Sequence, residues 1–196
     1  MAKKWSNVNL PGALHYVTGN VLHRIPIFKQ DRCCEAFLRT CSALLHDWPC
    51  KLVAFALMPD HFHLILNPCD GDIKGFAGAL KSIAAREIIA ISDDKRFQRR
   101  NGLTHKIWQE SFKAMPLWSR WMIWQKINYI HANPVKARLV SSAQDYRWSS
   151  FRAFYFNSGE PLPVDHDWWW ADDSEKLAKA IKELGWDRLQ NRDNKK

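Results

Sequence analysis

The chain of 196 residues is 46% hydrophobic and carries a net charge of +9, with 29 Lys and Arg against 20 Asp and Glu. That length suits one globular domain with an appendage and excludes a second full domain, while the basic balance favours a polyanionic partner such as nucleic acid. No apolar run is long enough to span a bilayer, and the start Met1-Ala2-Lys3-Lys4-Trp5-Ser6 lacks the apolar segment of a signal peptide, so the expected location is the cytoplasm, away from membranes.

In chain order, Ala13 to Asn20 reads as a first strand closed by Gly19 and Asn20. From Asp31 to Asp47, Cys34, Phe37, Leu38, Cys41, Leu44 and Leu45 recur at three- and four-residue spacing. This predicts an amphipathic helix capped by Asp31 and ended by Trp48 and Pro49. Lys51 to Met58 and His61 to Leu66 read as the second and third strands, joined by a tight Pro59-Asp60 turn. Asp72 to Ile91 predicts a second helix with Ile73, Phe76, Leu80, Ile83, Ala84 and Ile88 on one face. The basic run from Lys95 to Gly102 reads as a loop, Ile107 to Met115 as a fourth strand stopped by Pro116, and Trp118 to Asn133 as a third helix ended by Pro134. Trp118, Trp121 and Trp124, at helical spacing, are expected to pack.

This order predicts an α+β fold: a ferredoxin-like or RRM-like antiparallel sheet with helices on one face. It occupies residues 1–156 and is followed by a C-terminal extension, 157–196, with a helix from Ser174 to Leu184. The five cysteines, Cys33, Cys34, Cys41, Cys50 and Cys69, are odd in number and form no Cys-x-x-Cys pair, which points to reduced packing residues rather than a disulfide framework or zinc site.

Two features carry candidate chemistry. His61 and His63 are one residue apart on a strand, so both imidazoles project from the same face and can serve one metal ion. A solvent-facing or hydrogen-bonded pair fits the same spacing. Tyr129 and Asn133 are four apart on the third helix and share a face, where a phenol and an amide oxygen can meet at one site. A packed ring and a helix-end Asn fit that spacing as well. Lys95, Arg96, Arg99, Arg100 and Lys106 form a run without an acid that can track phosphates, and Lys74, Lys81 and Arg86 can extend it.

Taken in series, several segments resemble the REP-associated tyrosine transposases, single-tyrosine HUH enzymes of the insertion sequence 200-like group. They are Tyr16-Val17-Thr18, the run from Met58 to Leu64, Leu80-Lys81-Ser82 with Arg86, Trp108-Gln109-Glu110-Ser111-Phe112, the run from Tyr129 to Ala137, and Tyr146-Arg147-Trp148-Ser149-Ser150. The resemblance implies that His61, His63 and Asn133 hold Mg2+ or Mn2+. It assigns Tyr129 as the nucleophile of a sequence-specific single-strand DNA endonuclease and strand transferase that works through a 5'-phosphotyrosine. It further implies single-stranded DNA with a REP hairpin as substrate and a monomeric state, with a dimer left open. Lys136 is a candidate DNA contact and, with Glu110, a candidate helper for the tyrosine. The alternatives are a catalytically silent regulator that binds DNA hairpins on the same fold, and an RNA-binding sheet module that would need exposed aromatics on its central strands. The segment from Ala114 to Trp121 and the chain beyond Phe156 depart from the family pattern.

Overall fold

The computed structural model describes residues 7–93, 106–110 and 112–168. Lys95, Arg96, Arg99, Arg100 and the expected helix from Ser174 to Leu184 lie outside them. Four strands form one antiparallel sheet in the order β2-β3-β1-β4: β1 is Leu14–Asn20, β2 Cys50–Met58, β3 His61–Pro68 and β4 Lys113–Leu117. The helices are α1 (Asp31–Asp47), α2 (Ile73–Ile91), α3 (Arg120–Lys136) and the short α4 (Phe151–Phe156).

The sheet is apolar on both sides, and this decides where the helices go. Val17, Phe55, Leu57, Phe62, Leu64 and Leu66 form one side and are covered by α1 and α2 through Cys34, Phe37, Cys41, Phe76, Leu80 and Ala84. The other side presents Leu14, Ala54, Ala56, Ile65 and Leu117, and it is covered by Met122, Ile123, Ile127 and Ile130 of α3. The α+β class and the antiparallel sheet are as the sequence predicts, but the helices do not all share one face. Only α1 and α2 do, because the alternate residues of β2 and β3 are apolar too and need a second cover.

Three element boundaries differ from expectation, each for a local reason. Pro116 lies within β4 rather than ending it, and β4 begins at Lys113; it is an edge strand paired only with β1, where a missing N–H is tolerated. Trp108 instead makes an isolated bridge to Val21. Helix α3 runs through Pro134 to Lys136, since the proline sits in the last turn and Ala137 N–H caps the end on Asn133 O at 2.8 Å. Asp31 is the first residue of α1 and not its cap; Gln30 holds that position, and Asp31 Oδ1 accepts from Trp148 Nε1 at 3.2 Å.

The segment Tyr146-Arg147-Trp148-Ser149-Ser150 seals the free edge of β2. Leu57 N–H donates to Trp148 O, Ser150 N–H to Phe55 O and Tyr146 Oη–H to Leu57 O, so the strand presents no open ladder there. The start of the extension continues this cover: Asp165 N–H donates to Leu52 O at 2.7 Å, Leu162 joins the α1 side of the core, and Trp168 is buried on the α3 side. Leu162, Val164 and Trp168 thus pack on the same core as the rest.

Candidate active site

The tight turn at Pro59-Asp60 sets Met58 opposite His61, so β3 begins with its histidines already in register. Phe62 points into the α1 and α2 side, where it packs on Phe37 and Trp108 with ring centroids 4.9 and 5.4 Å away. Strand alternation therefore turns His61 and His63 together to the α3 side. There the two rings are held from behind. Asp60 Oδ1 lies 2.6 Å from His61 Nδ1, and Tyr16 Oη lies 2.7 Å from His63 Nδ1. Asp60 is itself fixed by Arg24, whose Nε is 3.3 Å from Oδ2; His23 and Arg24, both in the left-handed region, bring that guanidinium back over the turn.

With each Nδ1 occupied, the two Nε2 atoms face each other at 3.1 Å. Metal–imidazole bonds of about 2.0–2.1 Å at tetrahedral to right angles place neighbouring ligand nitrogens roughly 2.8–3.4 Å apart, so this separation, which is also that of an N–H···N hydrogen bond, would suit two ligands on one ion. Outer partners on the far nitrogens are what orients ligating histidines. Burial first, then the charges of His61, Lys126 and Arg24, pushes the His63 imidazole down to about 3, which keeps it neutral and able to ligate at physiological pH.

Tyr129 comes to this pair from α3. Its ring lies 5.7 Å from that of His63 and 6.2 Å from that of Tyr16, edge-on to both, and it remains 39% exposed, open to a large substrate. Lys126 Nζ is 5.5 Å from the Tyr129 ring and 5.1 Å from the Tyr16 ring, and Lys136 Nζ is 5.7 Å from the Tyr129 ring. Two ammonium groups therefore lie within cation–π range of the phenol. Asn133 follows Tyr129 by one helical turn, and its amide nitrogen is buried without a hydrogen-bond partner. The amide oxygen and nitrogen exchange places on a flip, so either can occupy this unpartnered position. Among the described residues no cluster of three His, Cys, Asp or Glu forms a metal site.

The basic residues separate by location. Lys136 is exposed at the site, whereas Lys74 and Arg86 are exposed on α2, across the sheet from the histidines. Lys106 is exposed and paired with Glu110 at 3.3 Å. Lys81 is buried: its Nζ donates to Gln109 O at 3.0 Å and lies over the Phe112 ring, and burial lowers its pKa. Of the three tryptophans expected to pack, Trp118 and Trp124 do so in part, while Trp121 is 65% exposed. Sequence reasoning missed Tyr16, Arg24 and Lys126 as site residues. Lys126 had a usable signal, lying three before Tyr129 on one helix face. Tyr16 and Arg24 reach the site only through strand pairing and a turn.

The family model described as "Transposase IS200 like" matches residues 14–133, more than half of the chain, and the chain belongs to that family of transposases. A Haemophilus influenzae protein assigned as a REP-associated tyrosine transposase is 25% identical over 146 residues, 71% of this chain and 80% of the relative. Among solved structures, a REP-associated tyrosine transposase bound to a REP hairpin has the same fold, with a TM-score of 0.63 at 20% identity over 84% of this chain and 92% of that one. A Deinococcus radiodurans protein assigned as a transposase matches at a TM-score of 0.44 and 21% identity, over 66% of this chain and 95% of that one. Among the described residues no helix is long and apolar enough to cross a membrane.

Proposed function

We propose that the protein is a metal-dependent single-strand DNA endonuclease and strand transferase, acting on strands that carry a REP-type hairpin through a 5'-phosphotyrosine on Tyr129. The observation that carries this reading is the convergence of His61 Nε2 and His63 Nε2 at 3.1 Å beside the exposed Tyr129 ring. The hairpin as substrate is supported by the two REP-associated relatives, one of them solved with such a hairpin.

His61, His63 and Asn133 would hold a divalent ion, Mg2+ or Mn2+, whose contribution is to polarise the scissile phosphate and offset its charge. Three neutral ligands bind such hard ions weakly, and substrate oxygens complete the shell. Tyr129 attacks phosphorus: the Oη–P bond forms, the bond from phosphorus to the 3'-oxygen breaks, and the phenolic proton leaves the tyrosine while the 3'-oxygen ends as a hydroxyl. Lys126 and Lys136 place positive charge where the phosphate charge grows. The new ester keeps the energy of the old one, so a second 3'-hydroxyl can reverse the step and transfer the strand. Lys136, Lys106, Lys74 and Arg86 serve as exposed phosphate contacts, while Lys81 acts from inside by tethering the loop that carries Gln109. An RNA-binding sheet of the stacking type is disfavoured, because both faces of the sheet are covered by helices.

The test is cleavage of end-labelled single-stranded REP-type hairpins with Mg2+ or Mn2+. The expected result is one cut beside the hairpin foot, lost with chelator and in Tyr129→Phe. Tight binding with no cut under any metal condition would instead establish the silent hairpin-binding regulator.

A further inference from the structure

Ser119 fixes where α3 begins, since its side chain accepts from Met122 N–H at 3.2 Å. That start sets the rotation of the first turn. Met122 and Ile123 go into the sheet, and Trp121 is left on the outside, 65% exposed, the most exposed large apolar side chain among the described residues. Its neighbours are treated differently. Trp118 packs on the apolar cluster beneath α3, and Trp124 stands edge-on to Phe154 and Trp168 at 5.9 and 5.7 Å. Trp121 has no ring partner among the described residues.

Trp121 and Tyr129 are eight residues apart on α3, a little over two turns, which is about 12 Å along the axis. Gln125 and Asn128 between them are exposed too, so one open stripe joins the indole to the nucleophile. A stacked single strand rises about 3.4 Å per nucleotide and an extended one rises more, so a strand that follows this stripe brings a base level with Trp121 within about four nucleotides of Tyr129. The surroundings select the occupant. Neither α3 nor α4 contains an acidic residue, and α3 carries Arg120, Lys126 and Lys136. An exposed ring on a basic, acid-free surface suits a partner that is anionic and aromatic at once, and single-stranded DNA is both. A second copy of the chain would set this positive surface against itself.

We propose that Trp121 is a base-stacking platform for the single-stranded part of the substrate, holding one unpaired base within about four nucleotides of the cut. Pinning that base on α3 restricts the phosphate that follows it and so helps to orient the scissile bond over Tyr129. Trp121 lies in the segment from Ala114 that departs from the family pattern, which makes the platform a feature of this chain's own sequence. The inference rests on the single-strand DNA reading above, and the experiment separates the two.

The measurement is binding of a REP-type hairpin with single-stranded flanks, followed by fluorescence anisotropy with Mg2+ present. The parent is the full chain with Tyr129→Phe, so that no cleavage intervenes. One abasic nucleotide is placed in turn at each flank position, and the parent is compared with the same chain carrying Trp121→Ala or Trp121→Phe. In the parent, one flank position is expected to lose about five- to a hundredfold in affinity when abasic, the range of one base–aromatic stack. Trp121→Ala loses as much on the intact strand, loses nothing further at that position, and melts with the parent because the ring is exposed. Trp121→Phe keeps a ring and most of the affinity. Trp121→Ala that binds the intact strand as the parent does overturns the platform, as does a loss that adds in full to every abasic loss. A parent dimer that Trp121→Ala dissociates, with strand binding kept, puts a second copy on the ring and overturns the platform too. A parent that binds no hairpin strand overturns the DNA reading itself and the platform with it.

Discussion

Gly19 faces Phe62 across the β1-β3 pair, and a Cβ built on it would lie 2.5 Å from both Cε1 and Cζ of that ring. The ring has nowhere to go, because Phe62 is fully buried between Phe37 and Trp108. Gly19→Ala therefore overpacks the core at a cost of about 1–3 kcal/mol. Alanine recovers roughly 0.5–1 kcal/mol of that, because it loses less backbone freedom on folding than glycine. The net is a loss of up to about 2.5 kcal/mol, or a Tm lower by up to roughly 10 °C for a chain of this size. Phe62 sits between His61 and His63, so whatever moves the ring also moves the histidines. Thermal denaturation reads the first effect and Mg2+ titration the second. A variant that melts with wild type and binds Mg2+ as well would show that β3 is not fixed by this contact.

Further predictions concern the site and its surroundings. Asp60→Asn leaves His61 Nδ1 without its carboxylate, and Mg2+ affinity measured by calorimetry should fall about tenfold or more; unchanged affinity would remove Asp60 from the site. Burial holds the imidazoles of His15 and His131 down to about 4, so the folded state keeps them neutral where the unfolded chain, at about 6.5, takes up protons. Stability is then full above pH 6.5 and is lost as pH falls toward 4, at up to about 1.4 kcal/mol per pH unit for each histidine. Urea midpoints that are equal at pH 7.5 and 5 would contradict this. Lys136→Ala should weaken single-strand binding and flatten the log–log salt dependence by about 0.7; an unaltered slope would mean that Lys136 touches no phosphate.

What the sequence made legible was whatever repeats with a strand or helix period. The alternation around Phe62 puts His61 and His63 on one face, and the four-residue step puts Tyr129 and Asn133 on one stripe of α3. The side of the sheet taken by α3 was not legible in the same way. It depends on the small residues Ala54 and Ala56 and on Ile65 forming a second apolar surface, which a short apolar strand does not distinguish from a one-sided one. The boundaries at Pro116 and Pro134 were misplaced because proline's local preference was overridden, by an edge position in one case and a last helical turn in the other. Lys81 shows the same limit for charge: it looked like surface, but Gln109 O and the Phe112 ring take it inside. Tyr16 is twinned with His63 across 47 positions of sequence, and only the pairing of β1 with β3 reveals it.

The central claim is that Tyr129 becomes esterified to DNA, and the most direct measurement is mass spectrometry of the peptide containing it. Protein incubated with a single-stranded REP-type hairpin and Mn2+, then denatured and digested with protease and nuclease, should yield that peptide carrying a nucleotide through its 5'-phosphate on Tyr129. The adduct should be absent with chelator and in Tyr129→Phe. An adduct on another residue, or none from folded protein that binds both metal and hairpin, would contradict the account.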